Sequence, residues 1–207
     1  MSAPFANVRF EIGVAQLSQL PPDRGREIAF AGRSNAGKSS AINALTNRRK
    51  LAFVSKTPGR TQQMNFFRLD DGAYLVDLPG YGYAQAPGGL RREWGKVIAS
   101  YLQRRHALSG LVLLMDVRHP LSALDVSLLD WFAPTGKPIL ILLTKADKLS
   151  RTGATRQLTA VREQIAQRYP NCIVQLFSSL SRLGVEQAQG WLAARLAHEV
   201  QPQGDPP

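Results

Sequence analysis

The segment Gly32-Arg33-Ser34-Asn35-Ala36-Gly37-Lys38-Ser39 has a glycine, four intervening residues and then Gly-Lys-Ser. Glycines at these positions let the backbone curl so that successive N–H groups point inward, toward an anion. A short apolar strand, Glu27–Ala31, precedes the segment, and a helix expected over Lys38–Thr46 follows it. The positive end of that helix adds to the attraction. The chemistry is phosphate binding, with Lys38 reaching β- and γ-phosphates and the Ser39 hydroxyl ligating Mg²⁺. Asp77-Leu78-Pro79-Gly80 ends a second strand. There Asp77 is placed to hold Mg²⁺ through water, and the Gly80 N–H to sense a γ-phosphate. Thr57-Pro58-Gly59-Arg60-Thr61 lies in the loop before that strand pair, and the hydroxyl of either Thr57 or Thr61 could complete the metal shell. Two loops controlled by one phosphate make a switch.

A third loop, Thr144-Lys145-Ala146-Asp147, follows a continuous apolar strand. Guanine presents an N1–H and an amino group side by side, and the Asp147 carboxylate can accept both. The Lys145 stem can lie along the base plane, and the Thr144 hydroxyl can tie the loop to neighbouring backbone. Phe177-Ser178-Ser179 ends the next strand, where backbone N–H groups could meet the guanine O6.

Strand-like and helix-like segments alternate between these loops. Six strands are expected, at Glu27–Ala31, Asn65–Leu69, Ala73–Asp77, Leu111–Asp116, Pro138–Leu143 and Ile173–Phe177. Asp70-Asp71-Gly72 is a hairpin signal, which makes the Asn65–Leu69 strand antiparallel to its neighbour. Helices are expected at Lys38–Thr46, Leu90–Arg105, Ser122–Phe132, Thr155–Tyr169 and Val185–Glu199, with Ser122 capping the third. The pattern predicts an α/β domain, a mostly parallel sheet with one antiparallel edge strand and helices on both faces. Residues 1–25 read as an N-terminal extension packing on a domain of residues 26–200, with Phe10, Ile12 and Val14 alternating like a strand edge. Residues 201–207 read as a flexible tail.

The 207 residues suit one such domain, and 44% hydrophobic with 20% charged residues argues against wholesale disorder. No apolar run approaches the ~20 residues of a membrane-spanning helix. The single cysteine, Cys172, fits a reducing, cytoplasmic setting. A net charge of +11 favours an anionic partner, nucleic acid first.

Taken together, the motifs resemble the EngB (also called YihA or YsxC) bacterial GTPases, in the TrmE–Era–EngA–YihA–septin class of P-loop NTPases. The resemblance covers nearly the whole chain. It is carried by Gly32–Ser40, Lys56–Gln62, Val76–Ala84 (Val-Asp-Leu-Pro-Gly-Tyr-Gly-Tyr-Ala), Asp116–Pro120 with Arg118 and His119, and Leu143–Lys148. It implies a G domain that hydrolyses GTP, and a Thr rather than Asn opening the base loop is ordinary in this family. It selects Thr61 as the switch threonine and implies nucleotide contacts from Gly59, Arg60, Thr61, Gln62 and Gln63, beside those of the phosphate and base loops. Lys38, Thr61, Gly80 and Asn35 are the expected catalytic set, and Ser39, Thr61 and Asp77 the metal set. The resemblance further implies a monomeric switch in assembly of the large ribosomal subunit, with a link to cell division and septation. In the TrmE branch an Asn at the place of Asn35 coordinates potassium, so Asn35 either holds K⁺ or braces the loop through its amide.

Tyr81 stands where Ras-like enzymes carry the Gln that orients water, and no Arg finger can be named in the chain, so slow intrinsic turnover is expected. Arg48-Arg49-Lys50, Arg91-Arg92 and Arg104-Arg105-His106 read either as RNA-phosphate contacts or as solvated helix ends. Trp94, Trp131 and Trp191 read as core, His119 as a turn residue and Cys172 as an unreactive strand-entry residue. A metabolic kinase would leave Asp147 and the Gly80 turn unexplained; a septin-like structural protein would bind nucleotide with little turnover.

Overall fold

A computed structural model of the chain describes residues 5, 7–52, 63–81 and 88–197. Seven strands, β1 (Arg9–Val14), β2 (Glu27–Gly32), β3 (Met64–Arg68), β4 (Tyr74–Asp77), β5 (Leu108–Asp116), β6 (Ile139–Thr144) and β7 (Cys172–Leu176), form one sheet in the order β1-β3-β4-β2-β5-β6-β7. Helices α1 (Lys38–Leu45), α2 (Gly88–Arg104), α3 (Ala123–Phe132), α4 (Arg151–Ala166) and α5 (Val185–Leu196) cover it.

The sheet has one strand more than expected, because the alternating segment of the extension pairs with β3. β3 is the one antiparallel strand, yet it lies second from the edge, running against both β1 and β4. Its hairpin to β4 closes through Leu69 N–H to the Ala73 carbonyl (2.8 Å), with Gly72 at φ +81°. The ladder of β1 is interrupted by a bulge at Glu11, between Phe10, opposite Phe67, and Ile12, opposite Phe66. The bulged Glu11 turns its carboxylate to the Tyr74 hydroxyl at 2.9 Å.

Alternate residues of the central strands enter opposite cores, which is why these strands read as unbroken apolar runs. Ile28, Phe30, Val112, Leu114, Leu140 and Leu142 pack with α1 and α5. Ala29, Ala31, Leu111, Leu113, Met115 and Ile141 pack with α2, α3 and α4. Trp191 lies in the first core and Trp131 packs against the second, as expected; the Trp94 side chain is outside the described ones. Burial pushes the Cys172 thiol up to about 12, which leaves it protonated and unreactive at neutral pH.

α4 begins four residues before its expected start, because the Ser150 hydroxyl caps it by accepting from the Gly153 N–H (3.1 Å). The Arg104-Arg105-His106 cluster is also corrected. Arg105 is buried and its Nε donates to the fully buried Glu27 at 3.1 Å, so it offers no charge to an outside phosphate. Its other nitrogens donate to the carbonyls of Pro21 (2.9 Å) and Pro22 (3.1 Å), clamping the extension against the end of α2. The Tyr101 hydroxyl donates to Glu27 at 2.9 Å, and burial, then the Glu27 charge, holds that phenol well above its ordinary range. Removing one partner of such a pair strands the other charge. Arg105→Ala should therefore lower the unfolding free energy by about 3 kcal/mol in urea titrations. A loss below about 1 kcal/mol would show that the cluster does not hold the extension.

Candidate functional site

β4, β2, β5, β6 and β7 run parallel, so their carboxyl ends share one rim of the sheet. In an open α/β sheet that rim is where ligands bind. The loops leaving it carry Gly32–Ser39, Asp77–Gly80, Asp116–Pro120, Thr144–Asp147 and Phe177–Ser179.

The first loop is built from left-handed residues, Asn35 at φ +65° and Gly37 at φ +91°. A Cβ on Gly32 would meet the Leu114 carbonyl at 2.9 Å, so only glycine fits where β2 turns out of the sheet. Gly37 opens α1 without a side-chain cap, and the first N–H groups of that helix face the loop. The Lys38 ammonium pairs with the Asp77 carboxylate, and both are largely buried. A cation for phosphate and a hard oxygen donor for a divalent ion thus stand side by side, with the Ser39 hydroxyl one residue along.

The turn after β4 is stitched to this loop. Leu78 N–H donates to the Phe30 carbonyl (3.0 Å), Tyr81 N–H to the Gly32 carbonyl (3.2 Å), and Ser34 N–H to the Tyr81 carbonyl (3.0 Å). A Cβ on Gly80 would sit 3.2 Å from Ser34 N and Cα, so the bare backbone of this turn lies directly on the phosphate loop.

The phenol of Tyr81 is engaged elsewhere. Its hydroxyl donates to Asp125 Oδ1 at 2.6 Å, while Asp125 Oδ2 accepts from the Ser122 N–H (2.9 Å) and hydroxyl (2.7 Å). Burial first, then the Asp125 charge, pushes the Tyr81 hydroxyl far above its ordinary range. The Ser122–Asp125 capping pair at the start of α3 is visible in the sequence; its partner Tyr81 lies 44 residues away and carries no such signal.

On the other side of the rim, the buried Thr144 hydroxyl donates to the Ala36 carbonyl at 2.6 Å, tying the third loop to the phosphate loop. Lys145, left-handed at φ +57°, donates from Nζ to the Asn35 carbonyl at 2.8 Å. Ala146 N–H donates to the Phe177 carbonyl at 3.1 Å. The Ser178 hydroxyl donates to Asp147 Oδ1 at 2.6 Å and accepts from the N–H groups of Leu180 and Ser181. The structure thus brings Gly32–Ser39, Asp77–Gly80, Thr144–Asp147 and Phe177–Ser179 together. Gln63 is exposed, whereas Thr57, Gly59, Arg60, Thr61 and Gln62 lie outside the described residues.

Residues 27–145 match the family model described as "50S ribosome-binding GTPase". The "Probable GTP-binding protein EngB" of Aromatoleum aromaticum is 58% identical over 192 residues, covering 91% of this chain and 89% of its own. That of Azoarcus is 58% identical over 205 residues, covering 97% and 98%. The chain belongs to the EngB family. It is accordingly a GTP-hydrolysing enzyme. A crystal structure of a probable EngB has the same fold, at TM-score 0.65 and 19% identity over 83% of this chain and 98% of that one. Aquifex aeolicus Era bound to GDP and AlF₄⁻ aligns at TM-score 0.66 and 16% identity, over 88% of this chain and 59% of that one.

In an EngB chain a carboxylate braced as Asp147 is suits the paired donors of guanine. Asp147→Asn puts a donor against donors. GTP affinity should fall by about 2–4 kcal/mol, with a gain for xanthine nucleotides, in a direct titration. Unchanged GDP affinity would place base reading on another residue.

Proposed function

We propose that this GTPase is a switch in assembly of the large ribosomal subunit, acting as a cytoplasmic monomer and needed for normal division and septation. The observation that carries the switch reading is the backbone bridge between Tyr81, just past the Asp77–Gly80 turn, and the phosphate loop. A ligand that rearranges one of these segments must move the other. Three observations support the ribosomal reading. The matching family model bears a 50S ribosome-binding description, Era has been captured with MgGDPNP and a segment of 16S ribosomal RNA, and the chain carries a net charge of +11. Among the described residues no helix is long and apolar enough to cross a membrane.

In the proposed cycle the N–H groups of Arg33, Ser34, Asn35, Ala36 and Gly37, with Lys38, hold the phosphates. Lys145 and Asp147 hold the base, helped by Thr144, Ala146 and the Phe177–Ser179 turn. Gly80, between Leu78-Pro79 and Tyr81, senses the γ-phosphate, and Gly59, Arg60, Thr61, Gln62 and Gln63 add nucleotide contacts. The oxygen donors of Ser39 and Asp77 fit Mg²⁺, and Thr61 would join them in the GTP state. When bound, that ion would neutralise charge on the β- and γ-phosphates. Among the described residues no three His, Cys, Asp or Glu side chains gather as a protein-only metal cage, which suits an ion shared with phosphate oxygens. With Tyr81 committed to Asp125, no named side chain orients the attacking water, so intrinsic turnover is slow.

Ribosomal particles should bind this protein more tightly with a GTP analogue than with GDP, and the affinity should fall steeply with salt as counterions leave RNA. Phosphate release under multiple turnover should rise when particles are added. Binding indifferent to both nucleotide and salt would overturn the ribosomal reading while leaving the GTPase intact.

Asn35 adds a proposal about the transition state. Its exposed side chain stands at the phosphate loop, and its carbonyl is already held by Lys145. A K⁺ ion held by the side-chain oxygen would place positive charge where an Arg finger acts. Hydrolysis should then run faster in potassium than in sodium at equal ionic strength, and Asn35→Ala should erase the difference while keeping GDP binding. Equal wild-type rates in both salts would end this proposal.

A further inference from the structure

Asp116, Arg118 and Lys145 form a charged cluster at the ends of β5 and β6 that neither phosphate binding nor acceptance of guanine donors uses. Asp116 Oδ1 accepts from the Arg118 N–H (3.1 Å) and Nε (2.9 Å), and Oδ2 from Arg118 Nη2 (2.6 Å). The same Oδ2 lies 3.0 Å from Lys145 Nζ. That ammonium reaches onward to the Asn35 carbonyl at 2.8 Å. One carboxylate therefore stands at the junction of three loops, those leaving β2, β5 and β6.

A lysine side chain has four flexible bonds, and freezing it in one extended course costs rotamer entropy. The Asn35 carbonyl alone gives the ammonium one neutral acceptor. Asp116 adds a full negative charge at the same ammonium, so two acceptors fix the end of the side chain. The same contact braces Asn35, a non-glycine residue held in the left-handed region. Arg118 first, then its own backbone N–H and Lys145, holds the Asp116 carboxyl well below the usual carboxylate range, so this charge persists through all physiological pH. The contacts of Asp116, Arg118 and the Lys145 ammonium reach no residue of the Asp77–Gly80 turn.

We propose that Asp116 is a positioning residue for guanine nucleotide, holding the Lys145 side chain in the course that locks the base loop to the phosphate loop. It does so on the reading that Thr144–Asp147 faces the base. Because the lock acts through the base loop and makes no contact with the Asp77–Gly80 turn, it favours GDP and GTP alike.

Titrations of GDP and of a non-hydrolysable GTP analogue on the full chain test this in four proteins: wild type, Asp116→Asn, Lys145→Ala and the double variant. Asp116→Asn should weaken both nucleotides by the same factor, about fivefold, the upper reach of a partly exposed charge pair. In steady state the loss should fall on KM rather than kcat. In the Lys145→Ala background the second substitution should add nothing, and Asp116→Glu should recover part of the loss. An equal loss in both backgrounds, or wild-type affinity in Asp116→Asn, would overturn the proposal. Should Asp116→Asn fail to fold, Arg118→Ala decides: it removes the two guanidinium bonds and keeps the backbone N–H bond and the Lys145 pair, so GDP affinity should hold. A drop there would assign the effect to the turn instead. Asp147→Asn separates the two readings. If it leaves base choice unchanged, the base-loop reading fails, whereas a switch to xanthine with no effect at Asp116 sinks the present proposal alone.

Discussion

The central strands must bury both faces at once. Ile28 and Phe30 on one side of β2, and Ala29 and Ala31 on the other, leave no face for a polar group, and β5 and β6 repeat the condition. Such strands need helices above and below, hence crossover connections, hence parallel neighbours whose carboxyl ends all emerge together. Among the described residues, the loops that follow β2, β4, β5, β6 and β7 are therefore delivered to one rim. The hydroxyl of Thr144 and the ammonium of Lys145 then fasten two of those loops into a single body through the carbonyls of Ala36 and Asn35. The site is rigid on its base side because it is cross-linked there by side chains reaching backbone.

Its phosphate side is held differently. There the Lys38–Asp77 ion pair is joined by backbone bonds between Tyr81, just past the Asp77–Gly80 turn, and Gly32 and Ser34, with Gly80 lying against Ser34. Backbone bonds depend on the path of the chain rather than on side-chain chemistry, so a change in path at Gly80 passes straight to Ser34. Tyr81 extends the connection outward, since its hydroxyl ends on the capping carboxylate of α3. One half of the rim is thus held by side chains reaching backbone carbonyls and the other by main-chain bonds with one ion pair, an arrangement that fits the proposed switch.

Local features of this arrangement were legible in the sequence, and distant pairings were not. Gly32–Ser39 declares itself because glycines, lysine and serine act within one turn of chain. The hairpin at Asp70-Asp71-Gly72 and the capping of α3 by Ser122 are likewise short-range. The joining of β1 to β3 pairs residues as far apart in the chain as Val14 with Met64 and Arg9 with Arg68, so alternation at Phe10, Ile12 and Val14 suggests a strand but not its neighbour. Arg105 looked like one more surface charge because the carboxylate that buries it, Glu27, opens a strand on the other side of the sequence. Ser150 gives a weak capping signal in the sequence because Gly153, a poor helix former, sits in the first turn it stabilises.

The bulge at Glu11 bears on how copies of this protein behave when crowded. Among the described residues β1 is the outer strand of the sheet, and an outer strand offers backbone groups to any extended chain that drifts near. A regular, apolar ladder there would act as a template for strand addition and fibre growth. Here the ladder loses its register in the middle, and the neighbouring Arg9 carries charge. An incoming strand meets a broken row of partners beside a cation, so the edge closes the sheet instead of extending it.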